Sequence, residues 1–279
     1  MPYTTDAGHN EKMSKIIEVS GLSISLGGKM ILRDVSLCVE SGDLLCVVGR
    51  NGAGKSTLFR CICGVHKKFT GSVKLTGRTL HTLGARARAR IVAYVPQNAP
   101  PDIPYTVREF MEMSRYPWEG VHSTRGGPRG GVNAVSEAIS LAGLSKFADR
   151  GMRDLSGGER QRVMIASAIA QEPDAILMDE PTTFLDYAHQ IETMELITRV
   201  KKERNIAMLV VTHDVNLAMK VSDRVLALSE GRVEWTGAPH ELRDDRLLRS
   251  IFGVSFEQYF PAQGCAKQGY TSLLAPIGL

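Results

Sequence analysis

The clearest chemistry in this sequence lies in one short run, Gly49-Arg50-Asn51-Gly52-Ala53-Gly54-Lys55-Ser56. Its spacing, G-x-x-x-x-G-K-[ST], lets a glycine-rich backbone curl so that successive N–H groups point inward at phosphate oxygens. The helix expected from Lys55 onward adds the positive end of its dipole. Lys55 is placed to reach the β- and γ-phosphates of a nucleotide, and the Ser56 hydroxyl to sit on Mg²⁺. Gly49, Asn51, Gly52, Ala53, Gly54, Lys55, Ser56 and Thr57 are therefore assigned to nucleotide binding. A plain glycine turn followed by a solvated lysine would give the same letters. The context weighs against it, because a continuous apolar run, Leu44 to Val48, precedes the loop.

A second chemical feature is Ala175-Ile176-Leu177-Met178-Asp179-Glu180, an apolar strand ending in two carboxylates. In an open parallel sheet, ligands collect at the carboxyl ends of strands. Asp179 is then placed to hold Mg²⁺, and Glu180 to polarise an attacking water as general base. Elsewhere Leu155-Ser156-Gly157-Gly158-Glu159-Arg160-Gln161 puts serine and two glycines at a helix start, a second anion-binding arrangement. The same letters describe a serine N-cap with Glu159 closing a capping box, and the two readings are compatible.

The elements that must position these groups follow from pattern. Ile16–Leu26 alternates as a strand, Lys29–Val39 forms a second, and Gly71–Leu80 a hairpin arm. Leu44–Val48 suits a strand buried on both faces. Ala85–Arg90 favours helix, its three arginines read as a solvated face. Ile91–Val95 is a strand stopped by Pro96. Between Asn98 and Asp154 the character changes: prolines cluster, helices are expected at about 107–114 and 132–142, and a mobile Gly/Pro/Arg loop at Gly126–Gly131. From Leu155 strands and helices alternate again, with strands at 175–178, 207–211 and 224–228, arguing for a mostly parallel sheet with covered faces. The tail beyond Phe260 shows no motif.

Composition sets limits. The 279 residues are 43% hydrophobic and 23% charged, ordinary globular values, and the net charge of +4 makes no case for a nucleic-acid partner. No apolar run approaches the roughly 18 residues that span a bilayer. The polar start, Met1 to Lys15, lacks an apolar signal core, so the expectation is a peripheral protein in the compartment of its synthesis. Five cysteines (38, 46, 61, 63 and 265) form no Cys-x-x-Cys pair and are read as reduced core residues.

With these motifs in order, the chain resembles the ATPase subunits of ABC transporters over about Ile16 to Phe252. The run at 155–161 resembles their signature sequence, which other P-loop proteins lack. The resemblance implies a P-loop NTPase (RecA-like) α/β core with a mostly parallel sheet, an antiparallel β arm and an inserted helical subdomain. The expected division is a polar tail at 1–14, an ATPase domain at 15–260 with the helical subdomain at about 98–158, and a tail at 261–279. It implies that Gln97 is the Q-loop glutamine on Mg²⁺, so that Ser56, Gln97 and Asp179 serve the metal. It further implies that Asp186 is the D-loop aspartate and His213 the switch histidine at the γ-phosphate. Lys55, Glu180 and His213 then form the catalytic set. Ser156, Gly157, Gly158 and Glu159 act in trans, because in the family two copies close head to tail around ATP. Thr106–Glu109, Arg115–Trp118 and Pro181–Gln190 more closely resemble subunits powering import of iron-siderophores, haem or vitamin B12. That implies permease subunits as partners, a substrate-binding protein indirectly, and a place on the cytoplasmic face of the membrane. Tyr116 and Trp118 read equally as packing or as a docking face. An exporter subunit, a soluble ABC protein and a GTPase remain alternatives, although no Asn-Lys-x-Asp guanine-reading motif occurs.

One position departs from the family. Leu26 stands where an aromatic usually stacks on adenine, and no Phe, Tyr or Trp occurs between Tyr3 and Phe59. Stacking contributes about 0.5–1.5 kcal/mol beyond area burial. Weaker nucleotide binding and poorer discrimination between ATP and GTP are the expected consequences.

Overall fold

The computed structural model describes residues 14–98, 100, 102–120, 132–259 and 273–276. Two long strands, β1 (Lys15–Leu26) and β2 (Lys29–Glu40), pair antiparallel and continue through β4 (Thr70–Leu75) and β5 (Arg78–Thr79) as a four-stranded sheet in the order β2-β1-β4-β5. The second sheet includes β3 (Leu44–Val48), β6 (Val92–Val95), β7 (Ala175–Asp179), β8 (Ala207–Val211), β9 (Arg224–Ser229) and β10 (Arg232–Gly237). Its order is β10-β9-β3-β8-β7-β6, parallel throughout except for the β9–β10 hairpin.

Strand β3 shows why an unbroken apolar run was needed. Leu44, Cys46 and Val48 enter one hydrophobic core and Leu45 and Val47 the other, all buried. Helix α1 (Lys55–Ile62) and the antiparallel sheet cover one face. Helices α5 (Gly157–Ala170), α6 (Tyr187–Arg204), α7 (Val215–Val221) and α8 (Asp245–Phe252) cover the other. A parallel strand sandwiched in this way has no solvent face on which polar residues could alternate.

Helices α3 (Val107–Met113) and α4 (Val132–Leu141) pack on α5 through Val107, Met111, Ala138 and Ile139. The expected loop at Gly126–Gly131 lies outside the described residues, as does Cys265. The other four cysteines are free thiols, and burial pushes Cys46 and Cys63 up to about 12. Strand β11 (Phe256–Tyr259) pairs antiparallel with β12 (Leu273–Pro276), which lies in the tail where the sequence shows no motif.

The arginines of α2 (Ala85–Ile91) are not simply a solvated face. Arg90 Nε donates to the Pro117 carbonyl at 2.8 Å, and its guanidinium lies 5.3 Å from the Trp118 ring centre. Arg86 lies 4.5 Å over Tyr116, and Arg88 donates to the Leu83 carbonyl at 2.7 Å. Planar guanidinium groups stack on aromatic rings, which a helix-propensity reading does not reveal. Trp118 Nε1 donates to the Gln171 carbonyl at 2.7 Å, so Trp118 is a packing residue, while Tyr116 stays 54% exposed. Just before them in the chain, Arg115 Nη1 meets Glu172 at 2.8 Å, both side chains nearly buried, and donates to the Ala170 carbonyl at 2.6 Å. Removing one member of a buried pair strands the other charge. Arg115→Met is expected to cost about 3 kcal/mol. That should lower the apparent Tm by about 6–12 °C in a thermal melt.

Candidate functional site

The phosphate loop is shaped by two glycines whose side chains would collide with the fold. Gly49 has φ +147°, and a Cβ there would lie 2.1 Å from the Leu228 carbonyl oxygen. At Gly54, φ +104°, a Cβ would meet Leu32 Cδ2 at 2.6 Å and the Ile31 carbonyl at 3.1 Å. The Ala53 carbonyl accepts from Gly231 N at 3.1 Å, pinning the loop to the β9–β10 turn. No side chain caps α1 and no acid occupies its first turn. The amides of Lys55, Ser56 and Thr57 are therefore free to receive an anion. Lys55 is 6% exposed, and its Nζ donates to the Gly49 and Arg50 carbonyls at 2.7 and 3.0 Å. Burial draws its pKa down, and the charges of Glu180 and Asp179 push back up.

Strand β7 delivers the two carboxylates. Asp179 is 5% exposed and accepts hydrogen bonds from the Ser56 hydroxyl and, at 3.2 Å, from the Tyr94 hydroxyl. Desolvation lifts its pKa above the usual range, against those two bonds. Glu180 turns into the left-handed region, φ +49°, with its N–H donating to the Val211 carbonyl of neighbouring β8 at 2.9 Å. That turn aims its carboxylate at three partners. Oε2 accepts from Gln97 Nε2 at 2.8 Å and Thr183 Oγ1 at 3.0 Å, and lies 3.4 Å from His213 Nδ1.

Gln97, Glu180 and His213 thus converge with the phosphate loop on a cleft of about 980 Å³, also lined by Thr183 and Phe184. Ser56, Asp179 and Gln97 supply a hydroxyl, a carboxylate and an amide, and the oxygen donors among these suit a hard divalent cation. Gln97 is at present held through its amide nitrogen by Glu180. The residues fit a magnesium nucleotide.

Leu26 does not line this cleft; it is 36% exposed and pairs in register with Lys29. Lys29 and Ile31 of the same hairpin line it. The signature residues lie outside it as well. Ser156 accepts from Glu159 N at 3.2 Å, while the Glu159 carboxylate accepts from Ser156 N at 2.8 Å. Both members of the capping box are present, and the Ser156 backbone bond draws Glu159 below the usual carboxylate range. Ser156 and Gly157 are exposed, whereas Gly158 is buried within its own chain. Asp186 is the N-cap of α6, accepting from His189 N at 2.9 Å.

Sequence reasoning missed Tyr94, Thr183, Lys29 and Ile31. Thr183, three residues past Glu180, could have been found as a hydroxyl beside the acidic strand end. Tyr94 could not, because the parallel register of β6 on β7 is what brings it to Asp179.

A family model described as "ABC transporter" matches residues 32–183. The chain belongs to the ABC transporter family. It is 39% identical over 236 residues to the cobalamin import ATP-binding protein BtuD of Halobacterium salinarum, covering 85% of this chain and 58% of that protein. It therefore spans somewhat over half the length of that relative. With the petrobactin import ATP-binding protein FpuC of Bacillus anthracis it shares 33% identity, covering 92% of both chains. Among solved structures, it matches a dimeric ATP-binding cassette in a post-hydrolysis state bound to ADP and Pi. That match has a TM-score of 0.68 and 28% identity, covering 80% of this chain and 99% of that one. The phosphate loop and acidic strand end are thus those of an ABC cassette.

The Gly49 contact yields a direct test on this cassette. Gly49→Ala must move the Leu228 carbonyl or the loop, costing about 2 kcal/mol or more. A thermal melt should show the loss, and nucleotide titration should show binding weakened beyond detection.

Proposed function

We propose that this chain is the ATP-hydrolysing subunit of a membrane importer, with a cargo of the iron-siderophore, haem or cobalamin class. The observation that carries the hydrolytic part is the single carboxylate oxygen of Glu180 gathered with Gln97, Thr183 and His213 at the mouth of the phosphate loop. The import part rests on the likeness to import subunits over nearly the whole chain.

The residues divide the work. The loop amides and Lys55 hold the phosphates, and Lys55 needs little rearrangement because it is already buried beside them. Bound Mg²⁺ would neutralise charge developing on the transferred phosphoryl group. Ser56, Asp179 and Gln97 are the residues that would hold it. Glu180 accepts a proton from the attacking water, and His213 fixes the geometry at its side. General-base catalysis of this kind contributes about 10²–10⁴-fold. On this reading the cleft is half a site. Ser156 and Gly157 are presented outward on the start of α5, where the N-terminus of a helix receives the γ-phosphate bound by a second copy. Two copies seat on permease subunits at the cytoplasmic face of the membrane, and a substrate-binding protein delivers cargo on the other side. Among the described residues no helix is long and apolar enough to cross a membrane.

Glu180→Gln removes the base and keeps the hydrogen-bond geometry. It is expected to bind ATP at wild-type affinity, hydrolyse it at least about 10²-fold more slowly, and accumulate as a dimer in light scattering. Hydrolysis at the wild-type rate would refute the assignment.

A further inference from the structure

The two signature glycines stand in different surroundings. A Cβ on Gly157 would meet nothing within 4 Å, so that position is free to face a partner. A Cβ on Gly158 would lie 2.3 Å from both Cγ and Cδ2 of His189. Gly158 is helical, and its backbone does not itself demand glycine. Its lack of a side chain is imposed by the imidazole of the same chain.

That imidazole is held from its other side. His189 Nδ1 lies 2.7 Å from Asp186 Oδ1, the oxygen that also accepts His189 N at 2.9 Å. Asp186 thereby orients the ring while capping α6. The loop before it is stiffened by Gln190, whose Nε2 donates to the Leu185 carbonyl at 3.1 Å. One turn further along both helices, Arg162 of α5 pairs with Glu192 of α6 at 3.1 Å. The start of the signature helix and the start of the helix after Asp186 are therefore locked at two successive levels. The inner lock is one ring wedged between a carboxylate and a glycine.

We infer that His189 is a positioning residue for the composite site, joining Ser156–Gly157 and Asp186 into one rigid unit that engages a second copy together. The inference rests on the head-to-tail dimer proposed above. It adds that the two outward motifs are not independent: displacing one shifts the other through the ring. His189 touches no nucleotide on this reading, and its effect falls on engagement between copies, leaving each copy's own phosphate loop intact.

The test uses the full chain in the Glu180→Gln background, with a fluorescent ATP analogue reporting binding and light scattering reporting dimerisation. His189→Ala should bind the analogue within about twofold of the parent, yet need about tenfold more ATP for half-maximal dimerisation, the coupling typical of contacting residues. His189→Asn, which keeps a donor for Asp186, and His189→Phe, which keeps a ring against Gly158, should each recover part of the loss. Gly158→Ala should abolish dimerisation, and adding His189→Ala should restore it to the level of His189→Ala alone. Dimerisation of His189→Ala at the parent's ATP concentration, or no restoration in the double variant, overturns the inference. Ser156→Ala separates this from failure of the underlying reading. If Ser156→Ala is impaired and His189→Ala is not, only the role of His189 falls. If Ser156→Ala dimerises normally, or the parent forms no dimer, the sandwich itself falls and the inference with it.

Discussion

Lys55 and Asp179 are both withdrawn from water at the end of the same sheet, and the rest of the site is arranged around that burial. Desolvation works against each charge, drawing the lysine pKa down and lifting the aspartate pKa. Neither could be tolerated alone, since an unpaired buried charge costs several kcal/mol. The fold answers with fixed dipoles and hydroxyls: two loop carbonyls on Lys55, and the Ser56 and Tyr94 hydroxyls on Asp179. These partners are preorganised, so a phosphate entering the loop meets donors already stripped of bulk water. Electrostatic stabilisation is strongest under that condition.

The need to bring such groups together from distant parts of the chain explains the architecture. Strands β3, β7 and β8 end at one edge, and each is buried along its length and apolar but for Asp179 at the end of β7. Continuous burial fixes their depth in the sheet, and depth fixes where the loop, Asp179 and the residues after Val211 emerge. Glu180 departs from the sheet through a left-handed residue tied to Val211. Without that turn its carboxylate would follow the strand direction away from Gln97 and His213. The tyrosine at 94 is held in turn by Phe59 of α1, whose ring packs edge-on to it at 6.4 Å. The helix that presents the phosphate amides thus also steadies the residue that steadies Asp179.

What was legible in the sequence follows from what kind of constraint each feature obeys. The phosphate loop, the acidic strand end and the capping box at Ser156 are local: their residues lie within a few positions of one another, and their spacing carries the geometry. The buried strands were legible because covering both faces of a parallel sheet leaves no alternation. The contacts that escaped are those set by register or by packing between elements. Tyr94 reaches across 85 residues to Asp179, and Arg90 reaches 27 residues to Pro117. The β1–β2 hairpin pairs Leu26 with Lys29, and the place of Lys29 and Ile31 on the cleft follows from that pairing rather than from any local motif.

The same hairpin bears on what this cassette offers a nucleotide base. An aromatic wall would grip the base by its face, whereas a lysine and an isoleucine offer a mobile cation and a small apolar surface. The first is strongly hydrated and the second lacks a π-face, so neither replaces stacking in kind. The phosphate end, by contrast, is over-determined: Gly49 is confined by the Leu228 carbonyl, Gly54 by the Leu32 side chain and the Ile31 carbonyl, and Ala53 is pinned to Gly231. The rigid part of the cleft is therefore the loop that would hold the phosphates, the part of a nucleotide that hydrolysis alters.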